Sequence, residues 1–323
     1  MNSRYHTVPN RRDILNAAER VAPAVHRTPV MTCSRMNELT GRSCFFKMEN
    51  FQRGGAFKIR GAYNAVSSLT EADASRGAAT HSSGNHAQAV ALAARERGIP
   101  AYIVMPSNAP SVKIAAVREY GGQITFCEPT LQAREEALQR ILEETQAAFI
   151  HPYDDSRTIA GQATCALEFC SQVDDLDALI TPVGGGGLLS GTLLTSEFLD
   201  RPLMVFGAEP ARADDACRSV EAGRLEREPV PDTIADGLRT YLSELTFSII
   251  SGRVHGMIRI EEQEILSAMR LVWERMKAVI EPSGAVALAA ALYHPLPDSV
   301  RRIGIIITGG NVDLDALPWM GDS

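Results

Sequence analysis

The sequence predicts an α/β protein of two units, each a largely parallel sheet flanked by helices, with a ligand cleft between them. Three observations predict it. From Arg76 to Phe149, short apolar runs alternate with helix-period patterns, and strands separated by helices pair in parallel with helices on both faces. From His151 to Thr308 the alternation resumes on a larger scale. A chain of 323 residues, 45% of them hydrophobic, holds enough apolar material for two cores. A chain that leaves one sheet, builds a second and returns divides into a large unit (1–53 and 149–323) and a small inserted one (54–148). The cleft between such sheets is the usual ligand position.

The elements follow in order. Asn10 caps a helix with Asp13 at its third position and Ile14, Leu15, Ala18, Val21 and Ala22 as its apolar stripe; Pro23 ends it. Thr28-Pro29-Val30 is extended, and Glu38-Leu39-Thr40-Gly41 is expected to turn the chain toward a strand beginning at Phe45. Strand-like runs at Ala78–His81, Ala101–Met105, Gln123–Phe126 and Ala148–Ile150 are separated by helices starting near Asn85, Ser111 and Thr130. A helix through Ala160–Cys170, the Leu179 strand, a helix to about Leu199 and the Met204–Gly207 strand come next. Thr233–Ile250 reads as loop and then extended chain. Glu261–Lys277 is an amphipathic helix with Ile265, Leu266, Met269, Val272 and Met276 inward. A helix over Ser283–Tyr293 precedes the last strand, Ile303–Thr308.

Two stretches carry chemistry. In Phe45–Asn64 an apolar strand ends at Glu49, a Gly-Gly turn follows, and Lys58 enters a helix between Phe57 and Ile59. A lysine is ordinarily exposed, with a snorkelling stem. The alternative is an apolar collar that lowers the amine's pKa and frees it to react with a carbonyl cofactor. Val183-Gly184-Gly185-Gly186-Gly187-Leu188 follows an apolar strand and opens a helix. A tight turn needs one or two glycines; four let consecutive N–H groups converge on an anion at a helix N-terminus. The run lacks the spacing of a dinucleotide fingerprint and the Gly-Lys-Ser/Thr of a Walker loop. Phosphate cradle and collared lysine together suggest a phosphorylated aldehyde.

Four ordered motifs, Ala56-Phe57-Lys58-Ile59-Arg60-Gly61, His81-Ser82-Ser83-Gly84-Asn85-His86, the tetraglycine and Thr308-Gly309-Gly310-Asn311-Val312-Asp313, resemble the pyridoxal-phosphate enzymes of the serine/threonine dehydratase and serine racemase family. The resemblance spans Arg27 to Trp319. It implies the fold-type II, tryptophan synthase beta-like architecture, with the large unit binding the cofactor. By resemblance Lys58 holds pyridoxal 5'-phosphate and serves as base at the substrate's Cα, and Phe57 packs on the ring. Gly184, Gly185, Gly186, Gly187 and Leu188 hold the phosphate, Asn85 bonds the ring hydroxyl, and Thr308 faces the ring nitrogen where relatives carry serine. Glu281-Pro282-Ser283-Gly284-Ala285 resembles a helix start near the ring, with Glu281 a contact to substrate or cofactor. The resemblance places Ser83 opposite Lys58 as a second acid/base. Ser82, Ser83, Asn85 and His86 surround the substrate carboxylate, although a serine cap and a helix-opening histidine remain the plain alternatives. Arg134 either faces the substrate side chain or is a surface arginine. Glu209, Asp215 and the Ala213 carbonyl match a site for a divalent cation, magnesium, calcium or manganese, against the plain alternative of a solvated acidic loop.

Net charge −7 and scattered basic residues give no reason to expect nucleic acid or an anionic membrane as partner. No apolar run approaches the length of a membrane span, and Met1–Asn10 lacks a secretory pattern. Six cysteines without a Cys-x-x-Cys pair argue against zinc or a disulfide framework. A cytoplasmic protein is expected, a homodimer by family habit, without the amino-acid-sensing appendage of biosynthetic threonine dehydratases. The expected function is an ammonia-lyase converting a β-hydroxy amino acid, foremost L-threonine or L-serine, to a 2-oxo acid. A serine or aspartate-type racemase and a 3-hydroxyaspartate dehydratase are the alternatives.

Overall fold

A computed structural model describes residues 5–227 and 230–320. Its strands are β1 (Val30–Thr32), β2 (Ser43–Met48), β3 (Ala78–His81), β4 (Ala101–Pro106), β5 (Gln123–Cys127), β6 (Ala148–Phe149), β7 (Ala178–Pro182), β8 (Met204–Pro210), β9 (Gly256–Ile260) and β10 (Arg302–Ile307). The order β5-β4-β3-β6 forms a wholly parallel four-stranded sheet. The order β1-β2-β10-β7-β8-β9 forms a six-stranded sheet, parallel except where β1 meets β2. β10, the last strand, inserts between β2 and β7, so distant parts of the chain share one sheet. Its register pairs Ile307 with Met48, which brings Glu49 and Thr308 to the same sheet end. The carboxyl ends of β3, β7 and β10 deliver His81-Ser82, the glycine run and Thr308. Those ends are where parallel sheets bind ligands.

Local signals account for most elements. Asn10 and Asp13 form a reciprocal capping box at helix Arg11–Val21. The main core lies between the large sheet and helices Glu262–Met276 and Pro282–Tyr293, the second alanine-rich and buried on nearly every face. Four expectations need correction. Helix Arg11–Val21 buries Ile14, Ala17 and Val21, whereas Leu15 and Ala22, expected in its apolar stripe, are exposed. Glu38–Gly41 is not simply a turn: Ser34–Thr40 is a helix ended by Gly41 at φ 66°, and its start is silent because Cys33 offers no side-chain cap. Glu244–Ile250 is helical rather than extended. Ser243 and Thr246 box its start, and Leu245 and Ile249, four apart, pack against Ile14 and Ile159; the β-branched run reads locally as strand. In helix Glu262–Met276, Ala268 takes the inward position expected of Leu266, which is half-buried.

Helix Ser156–Gln172 separates two others at fixed distance. A Cβ on Gly161 would lie 2.5 Å from the Arg60 carbonyl oxygen, and one on Gly191 would lie 2.6 Å from the Ala163 nitrogen. Gln162 Oε1 accepts the Gly61 N–H at 3.2 Å. Backbone contact at these glycines sets the spacing between the Lys58 helix and helix Gly187–Ser196, which the glycine run opens.

Candidate active site

Lys58 begins helix Lys58–Ser67 after Gly54 and Gly55, both in the left-handed region at φ 68° and 70°. Gly310 N–H donates to the Gly55 carbonyl at 2.9 Å and Phe57 N–H to the Thr308 carbonyl at 3.0 Å, which pins the lysine turn to the end of β10. The Phe57 ring centre lies 5.1 Å from Lys58 Nζ. Desolvation pulls the amine down to about 8, with the Glu281 carboxylate partly opposing. A substantial neutral fraction near pH 7–8 is what a nucleophilic amine requires.

Glu281, expected only as a contact near the ring, is the hub of the site. It is buried, and desolvation raises its carboxyl to about 7 although Lys113 opposes. Asn85 Nδ2 donates to Glu281 Oε1 at 2.6 Å. Asn311 Nδ2 donates to Asn85 Oδ1 at 3.0 Å and to the Gly54 carbonyl at 2.7 Å. These bonds orient the Asn85 amide and tie it to the lysine turn. Lys113 lies 3.7 Å from Glu281 and pairs with Asp236. Neighbouring Gly237 donates to Ser283 Oγ at 3.1 Å, and the Thr308 hydroxyl donates weakly to the Ser283 carbonyl at 3.4 Å. Lys113 and Asp236 were missed because no local spacing links positions so far apart in sequence, whereas Asn311 stood in the Thr308–Asp313 motif without a role of its own.

The glycine run sits against segment 237–242. A Cβ on Gly184 would meet Leu238 Cα and Thr240 Oγ1 at 3.0 Å, and one on Gly185 would meet the Tyr153 ring at 2.2 Å. Gly186 has φ 82°. Ser190 N–H donates to the Gly186 carbonyl at 2.8 Å. The earlier N–H groups of this helix, those of Gly187, Leu188 and Leu189, have no partner within the helix. Ser190 Oγ is buried and unpartnered. Open donors at a helix N-terminus, together with a desolvated amine and an oriented amide, fit a phosphorylated aldehyde. Gly185→Ala should drive loop and Tyr153 ring apart and weaken cofactor binding at least about tenfold, roughly 1.4 kcal/mol. Titrating apoprotein with pyridoxal phosphate by absorbance checks this; unchanged affinity would remove Tyr153 as the back wall.

The Ser82–His86 loop starts helix Asn85–Arg97. Gly84 N–H donates to Ser82 Oγ at 3.2 Å and Gln88 N–H to the Gly84 carbonyl at 3.3 Å. The N–H groups of Asn85, His86 and Ala87 are therefore the open helix end. Ser83 lies between them and Ser82, half-buried. His86 Nε2 faces the Ile150 carbonyl at 3.0 Å, which makes that nitrogen the donor and leaves Nδ1 unpartnered. Desolvation and then Lys58 pull His86 down to about 3, so it is neutral. Arg134 is half-buried on helix Leu131–Thr145 with Nε 3.3 Å from the Thr130 carbonyl. Its charge reaches His81 and Tyr153.

Glu209 and Asp215 form a second buried cluster at the end of β8. Glu209 accepts the N–H groups of Ala216 and Cys217 at 3.1 and 2.9 Å, and Asp215 Oδ2 accepts that of Leu242 at 2.9 Å. Desolvation raises both carboxyls, Asp215 to about 7 and Glu209 well above its usual range, where Asp215 adds to it. Asp215 Oδ1 is unpartnered and Ala213 is buried. Among the described residues no group of three or more His, Cys, Asp or Glu side chains is placed to hold a metal; this pair has only two carboxylates. Two unneutralised buried carboxylates nonetheless fit a divalent cation that also takes a backbone carbonyl.

Two largely parallel sheets, with a desolvated lysine and an anion cradle near their carboxyl ends, define an α/β enzyme that works through a bound carbonyl cofactor. Residues 21–309 match the family described as "Pyridoxal-phosphate dependent enzyme", and the chain belongs to it, with the fold-type II architecture. It is 50% identical over 312 residues to a beta-hydroxyaspartate dehydratase of Paracoccus denitrificans (strain Pd 1222), covering 97% of this chain and 99% of the relative. The structure of maize serine racemase superposes with TM-score 0.92 at 44% identity, covering 96% of this chain and 95% of that one. The structure of a T.th. threonine deaminase superposes with TM-score 0.90 at 42% identity, covering 95% and 100%. No helix among the described residues is long and apolar enough to cross a membrane.

Proposed function

We propose that this enzyme is an ammonia-lyase of β-hydroxy amino acids, forming a 2-oxo acid and ammonia. The observation that carries the reading is Lys58, a partly buried amine drawn down to about 8 by desolvation, on a turn pinned to Thr308. When bound, pyridoxal phosphate would supply an electron sink that acidifies the substrate's Cα–H. The Lys58 amine would take that proton as base. The N–H groups of Asn85 and His86, with Ser82, hold the substrate carboxylate. Leu188 and the glycine run would hold the cofactor phosphate, and the Asn85 amide, oriented by Glu281 and Asn311, would meet the ring hydroxyl. A hydroxyl at Thr308 in place of a carboxylate does not hold a proton on the ring nitrogen, which favours prompt loss of the β-hydroxyl over long-lived carbanion chemistry. The eliminated product hydrolyses to oxo acid and ammonia.

L-Threonine and L-serine are the first substrates to test. The Arg134 charge near His81 and Tyr153, together with the Paracoccus relative, favours a second reading in which the substrate carries a further carboxylate, as 3-hydroxyaspartate does. Oxo-acid release and chiral analysis of the remaining substrate, over L-threonine, L-serine, D-serine and the hydroxyaspartate diastereomers, separate the readings. Inversion outpacing oxo acid would make it a racemase. Ser83→Ala should lower racemisation at least about tenfold more than elimination, because only inversion needs an acid/base on the opposite face; equal losses would remove Ser83 from that role.

We also infer a divalent cation at Glu209, Asp215 and the Ala213 carbonyl. Removing it should lower Tm and raise KM, because Asp215 holds Leu242 in the segment behind the glycine run; indifference of both to chelator would refute the site. The separate four-stranded sheet supports a small inserted unit near 54–148, with its last strand, Ala148–Phe149, running one residue past that bound. Unpaired cysteines support a cytoplasmic location, and family habit supports a homodimer.

A further inference from the structure

Lys113 is buried, 3% exposed, in the first turn of helix Ser111–Glu119. That is a costly place for a lysine, because burial and the positive end of the helix dipole both disfavour its charge. Two carboxylates from distant segments offset the cost. Nζ donates to Asp236, which opens the turn Asp236–Leu238, and lies 3.7 Å from Glu281 Oε2. Burial pulls the Lys113 amine down, but Glu281 and then Asp236 outweigh it and keep it charged. The ammonium also rests on the substrate loop, where a Cβ on Gly84 would sit 3.5 Å from Nζ. One cation therefore serves two acids behind the loop that opens helix Asn85–Arg97.

Glu281 is placed to feel that charge. It is the N-cap residue of helix Pro282–Tyr293, yet its side chain makes no capping bond. Oε1 accepts Asn85 Nδ2 at 2.6 Å and packs on Gly309, where a Cβ would come within 2.3 Å. Oε2 has no hydrogen bond, so at 3.7 Å Lys113 acts on it as a charge rather than as a donor. Charged groups bear on Glu281 from three elements. Lys113 supports its carboxylate form, Asp236 opposes it, and Lys58 gains proton affinity from it. With two acids and two lysines, the cluster is neutral only when Glu281 and Lys58 are both ionised, so their protons are linked. We propose that Lys113 is a positioning residue for the reaction: its ammonium keeps Glu281 ionised, and through Glu281 it retains the proton on the Lys58 amine. A base that takes the Cα proton and must later release it works best with a proton affinity near the working pH. Lys113 keeps Lys58 in that range against desolvation that would carry it lower.

The inference rests on Lys58 as the cofactor's attachment point. Its test reads the rate of cofactor attachment to apoprotein against pH, at saturating pyridoxal phosphate so that affinity for the glycine run drops out. Borohydride reduction and mass spectrometry identify the residue fixed; fixation elsewhere would overturn the assignment of Lys58, a failure distinct from that of Lys113. Lys113→Met should lower the midpoint by at least about 0.5 pH unit, because Glu281 then takes a proton and Lys58 loses its anionic neighbour. A direct effect has the opposite sign, since removing a nearby cation by itself raises an amine's proton affinity. Glu281→Gln should lower the midpoint as far, and adding Lys113→Met to it should lower it no further. Asp236→Asn should leave the midpoint at or above wild type, because it removes the charge opposing Glu281 and frees Lys113 for it. A packing role alone would move Lys113→Met and Asp236→Asn the same way, since each breaks the same ion pair. An unchanged or raised midpoint in Lys113→Met, or a further fall on the Glu281→Gln background, would overturn the proposal. Should Lys113→Met not fold, Asp236→Asn carries the test, and a lowered midpoint there would overturn it.

Discussion

Lys58→Ala should leave no measurable oxo-acid release, a loss of at least about 10⁴-fold, since it removes both the attachment point and the base. The variant should still bind pyridoxal phosphate through the glycine run, but borohydride should no longer fix the cofactor to the protein, as mass spectrometry would show. Retained turnover, or retained fixation, would end the assignment. The amine's environment adds a pH signature. Only the neutral amine attacks a carbonyl, and an exposed lysine is half neutral near 10.4. Desolvation, partly offset by Glu281, pulls Lys58 to about 8. Cofactor attachment to apoprotein should therefore accelerate as pH rises and reach half its plateau near pH 8. A midpoint near 10 would mean that the collar is wet.

Arg60→Ala should be the most destabilising single change, costing about 3–5 kcal/mol, because it leaves a buried carboxylate uncompensated. Arg60 is 1% exposed and bonds Glu49 through Nε and Nη2 at 2.8 and 2.7 Å. It also reaches Glu168 at 3.2 Å, and Lys47 pairs with the same Glu168. Thr28 Oγ1 donates to Glu49 at 2.6 Å. Burial alone would raise the Glu49 carboxyl, but Arg60, Thr28 and Lys47 outweigh it and the group is held below its usual value. The sign of the pH effect follows. In the native protein this contribution is present above the unfolded carboxyl value, near 4.3, and is lost as pH falls through the lower folded value. In Arg60→Ala the balance reverses, because burial now dominates, so mild acidification should recover part of the stability. Adding Glu49→Gln should also rescue part of the loss. A Tm unchanged by Arg60→Ala, or no rescue by the second change, would show that the pair is solvated. Arg60→Lys should rescue poorly, since a point charge cannot reproduce the two-pronged contact. The helix held by this cluster begins at Lys58, so the single variant should also bind cofactor more weakly.

How much of this was legible depends on the range of each cause. Asn10 with Asp13, the alternation from Ala78 to Phe149, and four consecutive glycines after an apolar strand act within a few residues, and all appear in the fold at or near their expected bounds. Helix Ser34–Thr40 was missed because nothing caps its start, and Glu244–Ile250 because long-range burial of Leu245 and Ile249 outweighs a strand-like composition. The candidate site divides the same way. Lys58, Ser83, Asn85, the glycine run and Thr308 stood out by spacing and family likeness, and Asn311 lay in the Thr308–Asp313 motif without an assigned role, whereas Lys113, Asp236 and the Tyr153 wall have no local pattern.

The sequence by itself determined the α/β class, the family and the chemistry on offer: an amine, an anion cradle and a helix start, each written in contiguous residues. Only the tertiary structure decided that the Lys58 amine is desolvated, because its surroundings include Thr308 and Glu281, brought from two distant segments. It also decided that Glu49 and Arg60 neutralise each other, that Glu281 orients Asn85, and that Lys113 lies between Asp236 and Glu281. A side chain's charge state is set by the dielectric and the partners around it, and those are properties of the packed chain.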